Sequence, residues 1–382
     1  MKLEILKQAF TKLSNTEPRL FRAPGRINLI GDHTDYNEGY VMPASIDRFA
    51  YMAMDFNTVD KLIVHSIDFK ETFDRPIDQL NRQETSHWSN YFIGVLSIFE
   101  SRGVSIQGID CSFTSDVPVG AGLSSSAALT CCFAYGLNEL LEAGFSKREL
   151  VDIAQATEHE FALVKCGNMD QTASVFGKAG QAMLFDCKTR EINYSPLNVG
   201  DHEFLLVDTK VKHSLADSAY NARRNNCESG VAIIKEYFSE VNSLRDVSQD
   251  MLDQVALPEL IKKRCQYVIQ ENNRVQTASE FLMQNKLLEF GELMWQSHHG
   301  LSTMYEVSCD ELDFIIDQAK KANGILGARM MGGGFGGCCI VLIHSNYIDS
   351  FKSELTNAYT SKFTQSPSFY TFSTSNGASE VS

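Results

Sequence analysis

Between Pro118 and Leu129 the chain reads Pro-Val-Gly-Ala-Gly-Leu-Ser-Ser-Ser-Ala-Ala-Leu, and this run limits the fold more than any other. Gly120 and Gly122 let the backbone take positive φ and approach a ligand closely. Ser124, Ser125 and Ser126 then open a stretch, to about Leu141, that is apolar on nearly all sides. That pattern predicts a buried helix. The start of such a helix offers unpaired N–H groups and roughly half a positive charge. With three hydroxyls beside them, the residues Gly120, Ala121, Gly122, Leu123, Ser124, Ser125 and Ser126 form a natural phosphate cradle. A Ser-capped buried helix after an ordinary turn has the same bare spacing, so other segments must decide.

Known nucleotide motifs narrow the class by their absence. No G-x-x-x-x-G-K-[ST] string occurs, and neither H-R-D nor D-F-G is present. Gly332, Gly334 and Gly337 satisfy G-x-G-x-x-G, but the apolar strand Cys338–Ile343 follows where a dinucleotide site needs a helix. The spacing is accidental for an oxidoreductase. It predicts tight turns, or a loop that closes against another loop or a ligand.

Two further groups carry polar chemistry. Asp32, His33 and Asp35 crowd one turn after the apolar run Ile27–Ile30. Sugar hydroxyls want such paired acceptors and mixed donors; a solvated acidic loop would look alike, and no second His/Cys cluster completes a metal site. Glu158 lies late in a predicted helix from Lys147 to about Phe161, and Asp170 follows a break near Cys166-Gly167. Together they could hold magnesium and orient a hydroxyl; singly, each reads as a surface charge. His298-His299 reads as a surface or packing pair.

Lys plus Arg is 34 against 48 Asp plus Glu, a net charge of −14. This excludes broad binding to nucleic acid or anionic membranes but not to a small anion, since fields are screened within roughly 8 Å. No apolar run approaches the ~20 residues of a membrane span. The acidic N-terminus has no signal-peptide core, and the ten scattered cysteines include no C-x-x-C. A cytoplasmic protein with reduced thiols is expected.

Strands are expected at Lys61–Ile67, Ile109–Phe113, Gln181–Asp186 and Glu203–Val207, with a domain boundary among the turn residues 190–202. Ser308-Cys309-Asp310-Glu311 has the S-x-x-E form of a capping box. The Ser-rich tail from about Thr371 is expected to fray. Helices and strands mix without regular alternation, which predicts an α+β fold.

Taken together, these segments resemble the GHMP small-molecule kinase family, and within it the branch that phosphorylates galactose. Gly25-Arg26-x-Asn28-Leu29-Ile30-Gly31-Asp32-His33-x-Asp35-Tyr36 is similar to that branch's signature, with Asp32 where most members carry Glu. Residues 118–129 resemble the family's phosphate motif and 329–337 its third motif. Cys166-Gly167-x-Met169-Asp170-Gln171 and Asp217-Ser218-x-Tyr220-Asn221-x-Arg223-Arg224 also match.

The resemblance implies two α+β domains with the active site in the cleft between them. Residues 1–198 would be ribosomal-protein-like and carry the sugar and phosphate motifs; residues 199–382 would be ferredoxin-like. It implies ATP-dependent phosphorylation of D-galactose at the anomeric hydroxyl, the first committed step of galactose catabolism, by a monomer. Asp170 matches the group that accepts or orients the hydroxyl proton, and Arg26 the cation that stabilises transition-state charge. Asp32, His33, Thr34, Asp35, Gly167 and Tyr220 match sugar contacts. Gly120 to Ser126 match the triphosphate loop, Ser66 and Trp88 nucleotide contacts, and Ser126 and Glu158 the Mg²⁺ ligands. A kinase for a related sugar such as N-acetylgalactosamine and a non-catalytic galactose sensor are the alternatives. Arg26 and Asp170 stand 144 positions apart, and sequence alone does not bring them together.

Overall fold

The structure, a computed structural model, describes residues 2–84, 87–118, 120–212 and 216–381, with the backbone alone at 212 and 216–218. Val119 of the phosphate segment and the side chains of Asp217 and Ser218 lie outside the described residues. The strands are β1 (Arg19–Asn28), β2 (Tyr40–Val41), β3 (Pro43–Phe56), β4 (Lys61–Ser66), β5 (Glu71–Pro76), β6 (Ile109–Ser115), β7 (Gln181–Asp186), β8 (Ile192–Pro196), β9 (His202–Lys212), β10 (Ile325–Met331), β11 (Gly336–His344), β12 (Ser368–Thr371) and β13 (Ser379–Val381). The α-helices are α1 (Lys2–Phe10), α2 (Ser89–Ser101), α3 (Ser125–Leu140), α4 (Lys147–Glu160), α5 (Met169–Phe176), α6 (Ala216–Tyr237), α7 (Gln249–Gln254), α8 (Glu259–Met283), α9 (Leu287–Gly300), α10 (Asp310–Lys321) and α11 (Ile348–Phe363). Among the described residues no helix is long and apolar enough to cross a membrane.

The fold is α+β. A six-stranded sheet runs β13-β1-β3-β6-β4-β5, a four-stranded sheet β10-β11-β9-β12, and a three-stranded sheet β2-β7-β8. Among the described residues only β4 and β6 pair in parallel. The chain leaves the first group of strands after Pro196 and enters the second at His202. Residues 190–202 are not merely turns, because β8 pairs along β7 from Gln181↔Pro196 to Phe185↔Ile192.

Helix α3 is buried as its apolar circumference requires, with Ala128, Cys131, Cys132, Phe133, Ala134 and Leu137 all shut from solvent. Phe133 meets Phe92 of α2 edge-on, with ring centroids 4.7 Å apart. Truncating such a ring to Ala costs about 3–5 kcal/mol. The start of α3 is thus fixed from behind by its own core.

The four-stranded sheet is buried on both faces. Phe204, Leu206, Ile340 and Leu342 join the same core as α3, while Leu205, Val207, Val341 and Ile343 join a second core with α6–α11. Successive strand residues point to opposite faces, so one apolar run feeds both cores.

Two local expectations fail. Ser308 does not cap α10: the helix starts one residue later, behind Cys309, and the Ser308 hydroxyl donates to Asp313 Oδ1 at 2.6 Å. The tail does not fray. β13 pairs with β1, and the N–H groups of Ser375, Gly377 and Ala378 donate to Ser45, Gly177 and Ser174 carbonyls at 2.8–2.9 Å.

Candidate active site

The phosphate loop alternates anchors with open positions. Ala121 and Leu123 are buried, while Gly120 and Gly122 are exposed at φ 81° and 69°. The anchors tie the loop down from both sides. Arg26 N–H donates to the Leu123 carbonyl at 3.1 Å, and the Cys338 thiol of β11 to the Ala121 carbonyl at 2.9 Å. Ser125 begins α3, and Ser124 precedes it in the left-handed region at φ 59°. Ser124 makes no capping hydrogen bond; its hydroxyl donates to Asp170 Oδ2 instead.

Asp170 stands in the first turn of α5, after the break at Gly167. Arg26 Nε donates to its Oδ1 at 2.9 Å, and Arg26 Nη1 donates to the Gly122 carbonyl at 2.6 Å. The two residues separated by 144 positions therefore meet, and the guanidinium bridges the carboxylate to the phosphate loop. Arg26 is almost wholly buried and Asp170 about one quarter exposed.

Beside this pair lies a cavity of about 160 Å³, roughly one hexose in size. It is lined by Arg26, Asp32, His33, Asp35, Cys166, Gly167, Met169, Asp170, Tyr220, Gly332 and Gly333. Asp32 is held by three donors: Asn28 Nδ2 at 2.7 Å, Gly332 N–H at 2.9 Å, and the fully buried Arg329 guanidinium. Removing one partner of such a buried ion pair costs about 3–5 kcal/mol. Burial pushes Asp35 up to about 6; the Tyr36 N–H opposes this, and the charges of Asp170 and Asp32 add to it. Gly167 leaves the space that Asp35 fills, since a Cβ there would sit 2.0 Å from Asp35 Oδ2.

Burial lowers His33 to about 4, so its ring is neutral near pH 7. Its Nε2 faces the Gly333 carbonyl at 3.2 Å and its Nδ1 the Tyr36 hydroxyl at 2.8 Å. The network assigns the proton to Nε2, with Tyr36 donating to Nδ1. The rings of Tyr36, Tyr220 and Tyr305 surround His33 within 4.9–5.9 Å.

Thr34 is not brought to the cavity. It is fully buried, and its hydroxyl is spent on the Gly31 and Tyr40 carbonyls at 2.9 and 2.6 Å. Its role is to hold the turn that presents Asp32, His33 and Asp35. Ser66 and Trp88 do not line the cavity either. Ser66 Oγ accepts the Phe69 N–H at 3.2 Å, and Trp88 Nε1 donates to Glu71 Oε2 at 2.9 Å.

Ser126 and Glu158 do meet. The Ser126 hydroxyl donates to Glu158 Oε2 at 3.4 Å, and Gln171 Nε2 donates to Oε1 at 2.9 Å. Burial foremost, then the Asp170 charge, pushes Glu158 up to about 7. The buried oxygen Gln171 Oε1 has no partner among the described residues.

Sequence did not mark Arg329 or Asn28 as builders of the site. An Arg within an otherwise apolar strand was the available signal for the first. Of the His298-His299 pair, His298 is a buried packing residue whose Nδ1 accepts the Met330 N–H at 3.3 Å, while His299 is exposed.

A glycine-serine cradle tied through one guanidinium to a hexose-sized polar cavity is the arrangement of a small-molecule kinase. Models of known families agree. The GHMP kinase N-terminal domain matches residues 90–178, the GHMP kinase C-terminal domain residues 278–361, and the galactokinase galactose-binding signature residues 8–56. The galactokinase of Thermotoga neapolitana is 42% identical over 361 residues, 94% of this chain and 99% of that protein. That of Clostridium beijerinckii is 36% identical over 99% of both chains. The crystal structure of Lactococcus lactis galactokinase complexed with galactose superposes with a TM-score of 0.95 at 31% identity, covering both chains completely. Methanococcus jannaschii mevalonate kinase, 16% identical, shares the fold with a TM-score of 0.67 over 95% of this chain and all of that one. The chain belongs to the galactokinases of the GHMP kinase family.

Proposed function

We propose that the chain transfers the γ-phosphoryl group of ATP to the anomeric hydroxyl of D-galactose, yielding galactose 1-phosphate. One observation carries this reading: Arg26 joins Asp170 at the hexose cavity to Gly122 in the phosphate loop. A sugar hydroxyl beside Asp170 then faces a terminal phosphate held by Gly120–Ser126, with the guanidinium between them.

Phosphoryl transfer asks little covalent chemistry of the protein and much placement and charge stabilisation. The cavity supplies acceptors at Asp32 and Asp35 and a ring face at Tyr220. Asp170 accepts the hydrogen bond of the attacking hydroxyl and turns its oxygen toward the phosphate. Arg26 lies where charge develops on the transferring group. Ser66 and Trp88 belong to the nucleotide end of this reading.

The Ser126–Glu158 pair fits a divalent cation: a buried acid pushed up to about 7 gains a counter-charge, and an unpartnered oxygen, Gln171 Oε1, lies beside it. Ser126 and Glu158 would hold Mg²⁺, which when bound neutralises triphosphate charge. The intact Ser125-Ser126-Ala127 disfavours a sensor without activity. Ten unpaired cysteines suit the reducing cytoplasm.

Product formation from ATP with galactose, glucose, talose and N-acetylgalactosamine, measured side by side, tests the reading. Galactose is expected to be the preferred acceptor. Asp170→Asn is expected to lose about 10²–10⁴-fold in kcat with KM for ATP little changed. Near-normal turnover by that variant removes the role assigned to Asp170.

A further inference from the structure

A cavity of about 640 Å³ opens where α8, α9 and α10 meet the start of β10, and it shares no lining residue with the hexose cavity. In a chain of net charge −14, its wall holds Arg274 and Lys320 against a single carboxylate, Glu292. Trp295 lends an aromatic face, oriented by its Nε1 donating to the Leu326 carbonyl at 2.9 Å. Lys320 Nζ stands 6.0 Å from that ring's centroid. Gln270 and Gln296 add amide donors and acceptors.

Arg274 is a built feature rather than a loose surface cation. Its side chain is 12% exposed, and Nε donates to Glu271 Oε2 at 2.6 Å. Nη2 is shut from solvent and has no partner among the described residues. A guanidinium braced on one edge, with Nη2 unspent behind the cavity wall, can turn that end to a phosphate group, which takes paired N–H donors. The brace leads to the sugar loop. Glu271 is fully buried, and its Oε1 accepts the Gly31 N–H at 2.9 Å and the Ser297 hydroxyl at 2.6 Å. Gly31 immediately precedes Asp32.

We propose that this cavity is a second ligand site that takes a small phosphorylated sugar. The phosphate lies between Arg274 and Lys320, the sugar ring rests on Trp295, and the two glutamines meet its hydroxyls. Occupancy fixes Arg274, firms the link through Glu271 to Gly31, and strengthens binding in the hexose cavity. The binding half stands apart from the reaction assigned above; the coupling half rests on that reading.

Glucose 6-phosphate is the probe, since its phosphate is not on the anomeric carbon. Trp295 is one of two tryptophans, so emission follows the titration with the active site filled by galactose and a non-hydrolysable ATP analogue. A saturable change is expected, absent in Trp295→Phe and about tenfold weaker in Lys320→Glu, which alters an exposed residue and leaves the buried pair intact. Galactose affinity, by calorimetry, is expected to rise about fivefold with the probe in the wild-type chain and not in Lys320→Glu. No saturable change below about 10 mM, or an equal response in Lys320→Glu, overturns the site. Inorganic phosphate binding as tightly overturns the choice of a phosphorylated sugar. An unchanged galactose affinity overturns the coupling alone. If galactose itself does not bind, the earlier reading falls, and the fluorescence titration without it still decides the cavity.

Discussion

Asp170 is fixed through both oxygens, by Arg26 on one and Ser124 on the other. Ser124 takes a left-handed conformation that costs a non-glycine residue about 1–2 kcal/mol. That strain is maintained at the junction of phosphate loop and sugar cavity. Ser124→Ala is expected to lower kcat by about tenfold to hundredfold through a loosened Asp170, with KM for ATP much less affected. Ser124→Gly loses the same hydroxyl but relieves the strain, so it should melt above Ser124→Ala while sharing its low kcat. Equal kcat in the wild-type chain and Ser124→Ala would return Ser124 to the nucleotide alone. Asp35 gives the pH dependence. Its raised value of about 6 keeps the carboxyl protonated below that pH, and an ionised carboxylate is the better acceptor for sugar hydroxyls. KM for galactose is therefore expected to climb as pH falls through 6, while His33, at about 4, stays neutral over the same range. Asp35→Asn should raise KM and flatten the profile; a profile kept in that variant assigns the titration elsewhere. At this scale sequence reached the polar residues of the turn but not their partners. Asp32 and Arg329 are 297 positions apart, and no local pattern announces a pair made by a turn and a distant strand.

The element that aims the site is β1. Pro24 and Gly25 ordinarily end a strand, and sequence suggested a short run at Ile27–Ile30; the strand instead spans Arg19–Asn28. It passes them through a register shift between Pro24 and Arg26 against β3. A bulge of this kind redirects a side chain, and here it delivers Arg26 to Asp170. Gly25 is required by close approach: a Cβ would lie 2.7 Å from the Leu123 carbonyl oxygen and 2.9 Å from Val117 Cγ1. Gly25→Ala is expected to cost about 1–3 kcal/mol and to push the phosphate loop off Arg26, lowering kcat/KM more than stability alone explains. Activity measured well below the unfolding midpoint separates the two effects. Helix caps show why local motifs were only partly readable. Ser146-x-x-Glu149 forms a full capping box on α4, whereas Ser308-x-x-Glu311 does not on α10. The two strings share one form; tertiary contacts at Asp313 decide where the second helix starts. By contrast α3 was legible, because a helix apolar on all sides has only the interior to occupy.

The whole molecule is held together by a sheet with two buried faces and by a tail that turns back. Composition and the order of motifs revealed the α+β class, but a strand pairing across 357 or more positions leaves no signature in a Ser-rich terminus. That tail does more than close an edge. The Ala378 N–H donates to the Ser174 carbonyl on α5, the helix that carries Asp170, and Gly377 and Ser375 bind the backbone at Gly177 and Ser45. Ala378 is itself part of the α3 core. Deleting residues 372–382 removes these three backbone bonds, β13 and the buried Ala378 together. The expected loss is roughly 3 kcal/mol or more, seen as a fall of several degrees in Tm. Because α5 is loosened at its base, kcat should fall further than in a variant of equal Tm altered in the second core, such as Leu355→Ala in α11. Circular dichroism melts and initial rates on the two variants, taken at one temperature below both transitions, make the comparison. A shortened chain that melts and turns over like the full one would show that α5 is positioned by the phosphate loop alone.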